Sequence, residues 1–198
     1  MVRRALFVAL LVAAQCGAAL AEEAFKPFEF SFPVYMERAA LPKPGPRLQV
    51  MFPSDFEVVD YRTGNGGPFF GRREEIEALR RQVGEPKLAK GVFQIMDVVR
   101  ARPGEMRVFD RAANRFAVET QPLDEVNSLF KIQEMRRADT RSVPVLLVKA
   151  MLGTASVYSA SLVLPDDAYV AITYWMPRPP TKLNEEIWER FAASIRER

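Results

Sequence analysis

Hydrophobic and polar positions alternate most regularly in the last third of the chain, and this pattern predicts β-strands there. Four such runs follow one another, at residues 129–137, 143–151, 156–164 and 168–176. Short polar or glycine-containing breaks separate them, which is typical of antiparallel hairpins. We therefore expect a four-stranded antiparallel meander.

A helical spacing replaces this alternation near the C-terminal end. The residues of one apolar stripe are Ile187, Trp188, Phe191, Ala192 and Ile195. Asn184 is a candidate N-cap, and the acidic residues that follow it stand where the helix dipole favours negative charge. The pattern predicts an amphipathic C-terminal helix that lies across one face of the sheet.

The first half of the chain is less regular. Residues 22–46 combine five prolines with aromatic residues, which predicts an extended arm that pairs at a sheet edge or lies on the body. A glycine loop at 63–68 is expected to lead into a helix at 72–83. Further strands are predicted at residues 47–53 and 56–61 and near 91–100, 105–110 and 115–121.

Strands in runs, with helices at their ends, are typical of an α+β fold rather than a parallel α/β fold. The sequence predicts an antiparallel β-sheet flanked by helices, and a single α+β domain over residues 47–198 that follows the arm.

The closing unit VYSASLVLPDDAYVAITYWMPRPPTKLNEEIWERFAASI resembles the end of Mog1/PsbP-like domains. In those domains late antiparallel strands lead into a C-terminal helix with a W/F-x-x-F/I-x-x-S-I/F pattern, which Trp188, Phe191, Ser194 and Ile195 match here. The resemblance covers about the last 60 residues. It implies an antiparallel sheet flanked by helices and a non-enzymatic accessory or partner-binding role, since that superfamily shares no catalytic residues. Similar α+β modules also serve as periplasmic immunity proteins that block an incoming toxin.

Residues 1–21 have the organisation of a secretory signal peptide. Arg3 and Arg4 precede an apolar stretch at 5–14, and Ala19 and Ala21 form a small-x-small cleavage site. The apolar stretch is shorter than the roughly 20 residues of a membrane-spanning helix. We expect cleavage after Ala21, a periplasmic or secreted chain, and no stable membrane insertion afterwards. The short basic segment and the absence of an N-x-[ST] sequon favour a bacterial source.

Composition excludes several kinds of chemistry. The chain has no histidine, and its one cysteine, Cys16, lies in the predicted signal peptide. Histidine-assisted nucleophiles and zinc sites of the usual Cys/His kind are therefore excluded. Without Arg3 and Arg4, 26 Lys and Arg face 25 Asp and Glu, a net charge of +1 that does not suggest nucleic-acid binding. We expect no catalytic residue, no cofactor and no metal site.

Two small sets of residues keep an enzyme hypothesis open. Ser128 and Lys131 have the S-x-x-K spacing of Ser-Lys hydrolases, although the accompanying K-T-G and S-D-N motifs are missing. The alternative is carboxylate chemistry, for which the candidates are Asp55, Glu57, Asp60 and, with them, Lys149. A hydrolase would require at least two of these side chains to converge in a pocket.

The glycine loop offers a different hypothesis, in which aromatic and basic residues contact a partner. The candidate partner-binding residues are Asn65, Phe69, Phe70, Arg72 and Arg73. Burial of the two phenylalanines under the helix at 72–83 is the alternative. A third possibility is an apolar-ligand or lipid site beneath Trp188 and Phe191. The sequence favours an exported, non-catalytic accessory or partner-binding protein of the bacterial envelope, such as an immunity-type or complex-assembly factor.

Overall fold

The computed structural model describes residues 24–36, 39–59, 66–81, 88–96, 99–100, 109–120, 131–153, 155–165 and 167–198. The predicted signal peptide and the candidates Asp60, Asn65 and Ser128 lie outside these residues. In the described part no helix is both long and apolar enough to cross a membrane.

Strands dominate the described residues. In the first half they are β1 (Phe25–Met36), β2 (Ala39–Pro53), β3 (Glu57–Val59), β4 (Gly66–Gly71), β5 (Val92–Met96) and β6 (Val99–Arg100). In the second half they are β7 (Phe109–Asp110), β8 (Arg115–Phe116), β9 (Lys131–Arg137), β10 (Val145–Leu152), β11 (Ala155–Val163), β12 (Ala168–Pro177) and β13 (Arg196–Glu197). The helices are α1 (Arg73–Arg81), α2 (Lys182–Ser194) and a 3₁₀ turn at Ala117–Thr120.

The largest sheet has the strand order β3-β4-β5-β12-β11-β10-β9, with β6 paired to β12 beyond β5. Its pairs are antiparallel, including the consecutive pairs from β9 to β12. The predicted meander and the predicted α+β fold with a C-terminal helix are therefore confirmed.

The main core lies between one face of this sheet and a second layer made of α2 and a smaller sheet. Alternate residues of the central strands, such as Leu162 on β11 and Ile172 on β12, are fully buried. Ile187, Trp188 and Phe191 of α2 pack against this face in the same core. The fold buries Ile187, Trp188, Phe191 and Ala192 of the predicted stripe, whereas Ile195 is the C-cap that follows α2 and is half-buried.

The smaller sheet has the order β1-β2-β13. Residues 25–36 of the predicted arm form β1, which pairs with β2, and Phe30 and Phe32 of β1 are buried in the main core. β2 runs across the predicted boundary between arm and domain at residues 46 and 47. On its other side β2 pairs with β13, at Leu48 and Gln49. The first and last strands of the described chain therefore flank the same strand.

Two smaller clusters cover parts of the opposite face of the large sheet. Ile76 of α1 packs with Val59, Phe69, Leu88 and Val92. At another corner of this face, the β7–β8 hairpin places Phe109 and Phe116 against Leu146 and Val163.

Three predictions about local structure were wrong. Thr181, not Asn184, is the N-cap of α2; Asn184 is the third helical residue and completes a capping box with Thr181. Gly66–Gly71 is a strand rather than part of a loop, because it pairs with both β3 and β5. The strand predicted over 115–121 ends at Phe116, where the Glu119 carboxylate accepts a hydrogen bond from the Phe116 N–H at 2.7 Å and a 3₁₀ turn begins.

Candidate functional site

The aromatic residues proposed to contact a partner are buried. Phe69 lies in the cluster under α1, which confirms the burial alternative for this residue, and Phe70 packs in the main core with its ring 4.8 Å from that of Phe52. The hypothesis that both rings are exposed was therefore wrong. The strand that carries them is internal to the sheet, so its side chains face the two covered layers.

Arg72 and Arg73 are held by carboxylates of the preceding turn and strand. The Arg72 guanidinium donates to Asp55 at 2.9 Å, and Arg73 forms an ion pair with Glu57 at 2.8 Å. Asp55 also accepts from the Lys90 ammonium at 2.8 Å. Two of the carboxylates proposed for catalysis are thus paired with arginines at the start of α1.

Lys90 belongs to a denser set of contacts, which we call the Lys90 latch: Asp55, Arg72, Glu75, Lys90 and Gly91. The buried Glu75 carboxylate accepts from the backbone N–H of Lys90 at 3.2 Å and from that of Gly91 at 2.9 Å. Burial raises the pKa of Glu75 against the effect of these two donors. Partial burial also disfavours ionised Asp55, but the hydrogen bonds from Lys90 and Arg72 outweigh it and lower the pKa of Asp55.

Two buried residues with polar side-chain groups form hydrogen bonds with the backbone of the Lys90 latch and of the residue before it. The Tyr174 hydroxyl donates to the Lys90 carbonyl, and the Asn184 amide donates to the Ala89 carbonyl at 3.2 Å. Gly91 has φ +79°, and a Cβ on it would lie 2.6 Å from the Trp175 carbonyl oxygen. These contacts tie α1, the loop before β5, β12 and α2 together. Their chemistry is that of a structural junction, in which each charge has a partner.

A second charged cluster lies where α2 crosses β9 and β10. The Lys149 ammonium is 2.8 Å from Glu189, 3.0 Å from Glu185 and 3.6 Å from Glu134. The Tyr158 hydroxyl donates to Glu185. Partial burial disfavours the ammonium, but the hydrogen bonds to Glu189 and Glu185 outweigh it and raise the pKa of Lys149. A lysine held as ammonium is not suited to act as a base or nucleophile.

Among the enzyme candidates that the structure describes, no two share a charged partner. Lys131 is the exposed first residue of β9, so the helical turn that gives S-x-x-K its meaning does not extend to this residue. Asp55, Glu57 and Lys149 each have different charged partners.

The space beneath Trp188 and Phe191 is filled by aromatic rings. Both side chains are fully buried, and the Trp188 ring lies 5.5 Å from that of Tyr158. The Phe191 ring lies 4.8 Å from Phe93 and 5.7 Å from Phe52. This packing counts against an apolar-ligand cavity at this position.

An open groove of about 990 Å³ lies where β2 and β13 meet two turns of the large sheet. Its lining residues are 44–47 of β2, 139–142 of the β9–β10 turn, Pro165 of the β11–β12 turn and 195–198 at the C-terminal end. We call it the arginine groove, because Arg47, Arg141, Arg196 and Arg198 are all among these residues.

Hydrogen bonds fix the walls of the groove relative to each other. The Arg198 N–H donates to the Arg47 carbonyl at 3.1 Å, which continues the pairing of β13 with β2. The Arg196 guanidinium donates to the buried amide oxygen of Gln49 at 2.7 Å. From the opposite wall, the Ser142 N–H donates to the Glu197 carboxylate at 3.0 Å. The turn at 139–142 is therefore attached to the last strand.

The charges of the groove are only partly neutralised. Asp139 forms an ion pair with Arg137, and Arg198 forms one with Glu29 at 2.5 Å. Arg47 and Arg141 are exposed, and neither forms an ion pair with any residue that the structure describes. Glu197 and Arg196 form hydrogen bonds with neutral partners, Ser142 and Gln49, and their opposite charges cancel in the net charge of the groove. The groove thus presents two positively charged side chains, Arg47 and Arg141, that have no ionic partner among the described residues.

No known protein family matches the chain, and no characterised protein is significantly similar to it. The geometry alone therefore indicates which surface is available for binding.

Sequence reasoning missed the arginine groove. In the sequence, Arg47 is the first residue of the strand predicted at 47–53, and Arg141 lies in the break between the strands predicted at 129–137 and 143–151. Arg47 has no acidic residue within seven positions, whereas Asp139 stands two positions before Arg141. Their meeting in one groove depends on tertiary pairing between β2 and β13.

Proposed function

We propose that this chain is a non-catalytic accessory or partner-binding protein of the bacterial envelope, which contacts another exported protein through the arginine groove. The observation that carries the proposal is the contrast in charge pairing. The cations of the Lys90 latch and the Lys149 cluster have carboxylate partners, whereas Arg47 and Arg141 in the open groove have none among the described residues.

The residue types of the chain support a binding role. Without histidine, and with no cysteine after residue 16, the familiar nucleophile–base pairs are missing. The raised pKa of Lys149 removes the most buried of the candidate lysine bases from consideration. An envelope location follows from the signal peptide predicted over residues 1–21. Immunity to a toxin and assembly of an envelope complex both fit this description.

The test is a comparative affinity purification from envelope extracts of the bacterium that encodes the chain. The full chain carries a tag between residues 21 and 22, because a tag after Arg198 would enter the groove. The test variant is Arg47→Glu/Arg141→Glu. The matched control, Arg80→Glu/Arg115→Glu, makes the same change in charge at two exposed arginines that do not line the groove.

We expect one protein in stoichiometric amount with the wild type and with the control, and its loss with the groove variant. Retention of that protein by the groove variant would refute the assignment of the surface. Recovery of no specific protein with the wild type would refute the partner-binding role itself.

A further inference from the structure

The arginine groove differs from an ordinary exposed sheet edge in the backbone that forms its wall. β13 covers β2 only at Leu48 and Gln49, with one further bond from Arg198 to Arg47. The next residues of β2, which line the groove, are Pro46, Gly45 and Pro44. Proline has no N–H, so Gly45 is the one residue of these three that can donate to an added strand. A partner is therefore poorly held here by strand addition.

The side chains of the groove are better suited to recognition than its backbone. Arg47 and Arg141 supply planar guanidinium groups that bind carboxylates through paired hydrogen bonds. Pro44, Pro46 and Pro165 supply rigid apolar contact surface beside them. The bonds from Arg198 to Arg47 and from Ser142 to Glu197 hold these walls in place before any partner arrives. Such preorganisation lowers the entropy cost of binding.

The charge pattern also limits the kind of anion. Asp139 and Glu197 stand among the arginines of the groove, so a continuous line of negative charge would meet repulsion. Nucleic acids and anionic membranes present such lines and surfaces, and proteins that bind them expose broad basic patches. A peptide with separated acidic residues can place its carboxylates on Arg47 and Arg141 and its neutral residues beside the two acids.

From these observations we infer that the arginine groove binds an extended protein segment with spaced acidic residues. In this binding mode the arginine side chains bind the carboxylates of the segment, and the segment does not pair with β2 as an added strand. This inference rests on the proposed function, because it names the chemistry of the partner at the same surface.

The probe is a fluorescent peptide of about eight residues in which Glu and Ser alternate, and the matched peptide has Gln in place of Glu. Fluorescence anisotropy measures the binding of each peptide to the full chain. We expect only the Glu peptide to bind, and we expect the affinity to fall as salt is raised, because exposed charges are screened.

Arg47→Glu/Arg141→Glu should weaken binding by about tenfold or more, and Arg47→Gln/Arg141→Gln by less. Arg80→Glu/Arg115→Glu should bind like the wild type.

Equal affinity for the Gln peptide, or unchanged affinity in the groove variant, would overturn the inference. So would a failure of the Glu peptide to bind while duplex DNA or phosphatidylglycerol vesicles bind through Arg47 and Arg141. If the affinity purification yields a groove-dependent partner but the Glu peptide does not bind, the proposed function stands and the inference fails. If the Glu peptide binds at the groove but no envelope protein is recovered, the acidic-peptide chemistry stands and the proposed function fails.

Discussion

The Lys90 latch and the arginine groove both bring together residues from distant parts of the chain, but they treat charge differently. In the latch, the Lys90 side chain is only 11% exposed and lies 2.8 Å from Asp55, and Glu75 is buried against two backbone donors. In the groove, Arg47 and Arg141 remain in water without an ion pair among the described residues. A buried charge requires partners in order to be tolerated. An exposed charge has no such requirement and stays available to a ligand.

The largest expected change in stability comes from Gly91→Ala, which disturbs the backbone of the Lys90 latch. The new Cβ would meet the Trp175 carbonyl and the Tyr174 ring at 2.6 Å, at a residue with φ +79°. We expect a loss of about 3 kcal/mol or more in the free energy of unfolding, measured by urea denaturation. Gly153→Ala is the control, because Gly153 has φ +57° but nothing within 4 Å of the added atom. The control should lose only about 1 kcal/mol. Equal losses would show that steric contact at Gly91 is unimportant.

A smaller effect is expected from Glu75→Gln, which removes the buried charge. With its carbonyl oxygen in the position of Glu75 Oε2, the glutamine amide still accepts from both backbone N–H groups, but its N–H₂ then faces the Lys90 N–H, so we expect a loss of about 1 to 2 kcal/mol. Because the pKa of Glu75 is raised in the folded state, the wild type binds its proton more readily when folded. The advantage of the wild type over the variant should be largest below pH 4.5 and should shrink as pH rises through the folded pKa. Denaturation across this pH range is the measurement, and the opposite slope would contradict burial as the dominant cause.

Asp55→Asn should give the opposite pH dependence with a smaller amplitude. The pKa of Asp55 is lowered in the folded state, so its contribution is present above pH 3.8 and is lost as pH falls through the folded pKa. Its side chain is 37% exposed, and solvent screening reduces the effect to less than about 1 kcal/mol at neutral pH. Glu57→Gln, which breaks the more exposed pair with Arg73, is the matched control and should change stability less. Parallel slopes for Asp55→Asn and Glu75→Gln would remove the distinction between the two carboxylates.

The smallest effect on stability is expected in the groove. Arg47→Glu/Arg141→Glu changes exposed side chains that have no ionic partner in the described structure, so the free energy of unfolding should change by less than about 0.5 kcal/mol. Thermal denaturation beside the wild type measures this. A loss as large as that of Glu75→Gln would mean that these arginines stabilise the fold, and the contrast between latch and groove would disappear.

The spacing of apolar residues predicted much of the fold, because strands and helices that bury one face show that spacing in their sequence. The strands from β9 to β12 match their predicted ranges to within two residues, and α2 buries the predicted stripe as far as Ala192. The N-cap prediction failed because Thr181 and Asn184 are both capping residue types. Asn184 is needed deeper, where its amide reaches the Ala89 carbonyl and the Tyr174 hydroxyl. The glycines of β4 suggested a loop, but pairing on both sides overrides that preference.

The functional surfaces were much harder to predict. Phe69 and Phe70 next to a glycine loop are equally compatible with exposure and burial, and only the internal position of β4 decides between them. Arg47 and Arg141 are 94 positions apart in the chain, and no periodicity connects them. Their meeting depends on β13, a strand of two residues that no propensity argument would have detected.

The position of β13 also affects the order in which the molecule can fold. Arg196 and its partner Gln49 are separated by 147 positions, so the smaller sheet closes only after residue 196 has been synthesised. Contacts of such long sequence separation slow folding. A chain with such a late contact stays incompletely folded for longer after synthesis than a chain whose strands pair only with their neighbours in sequence. For a protein with a predicted export signal, late closure favours passage through a secretion channel before the native structure forms.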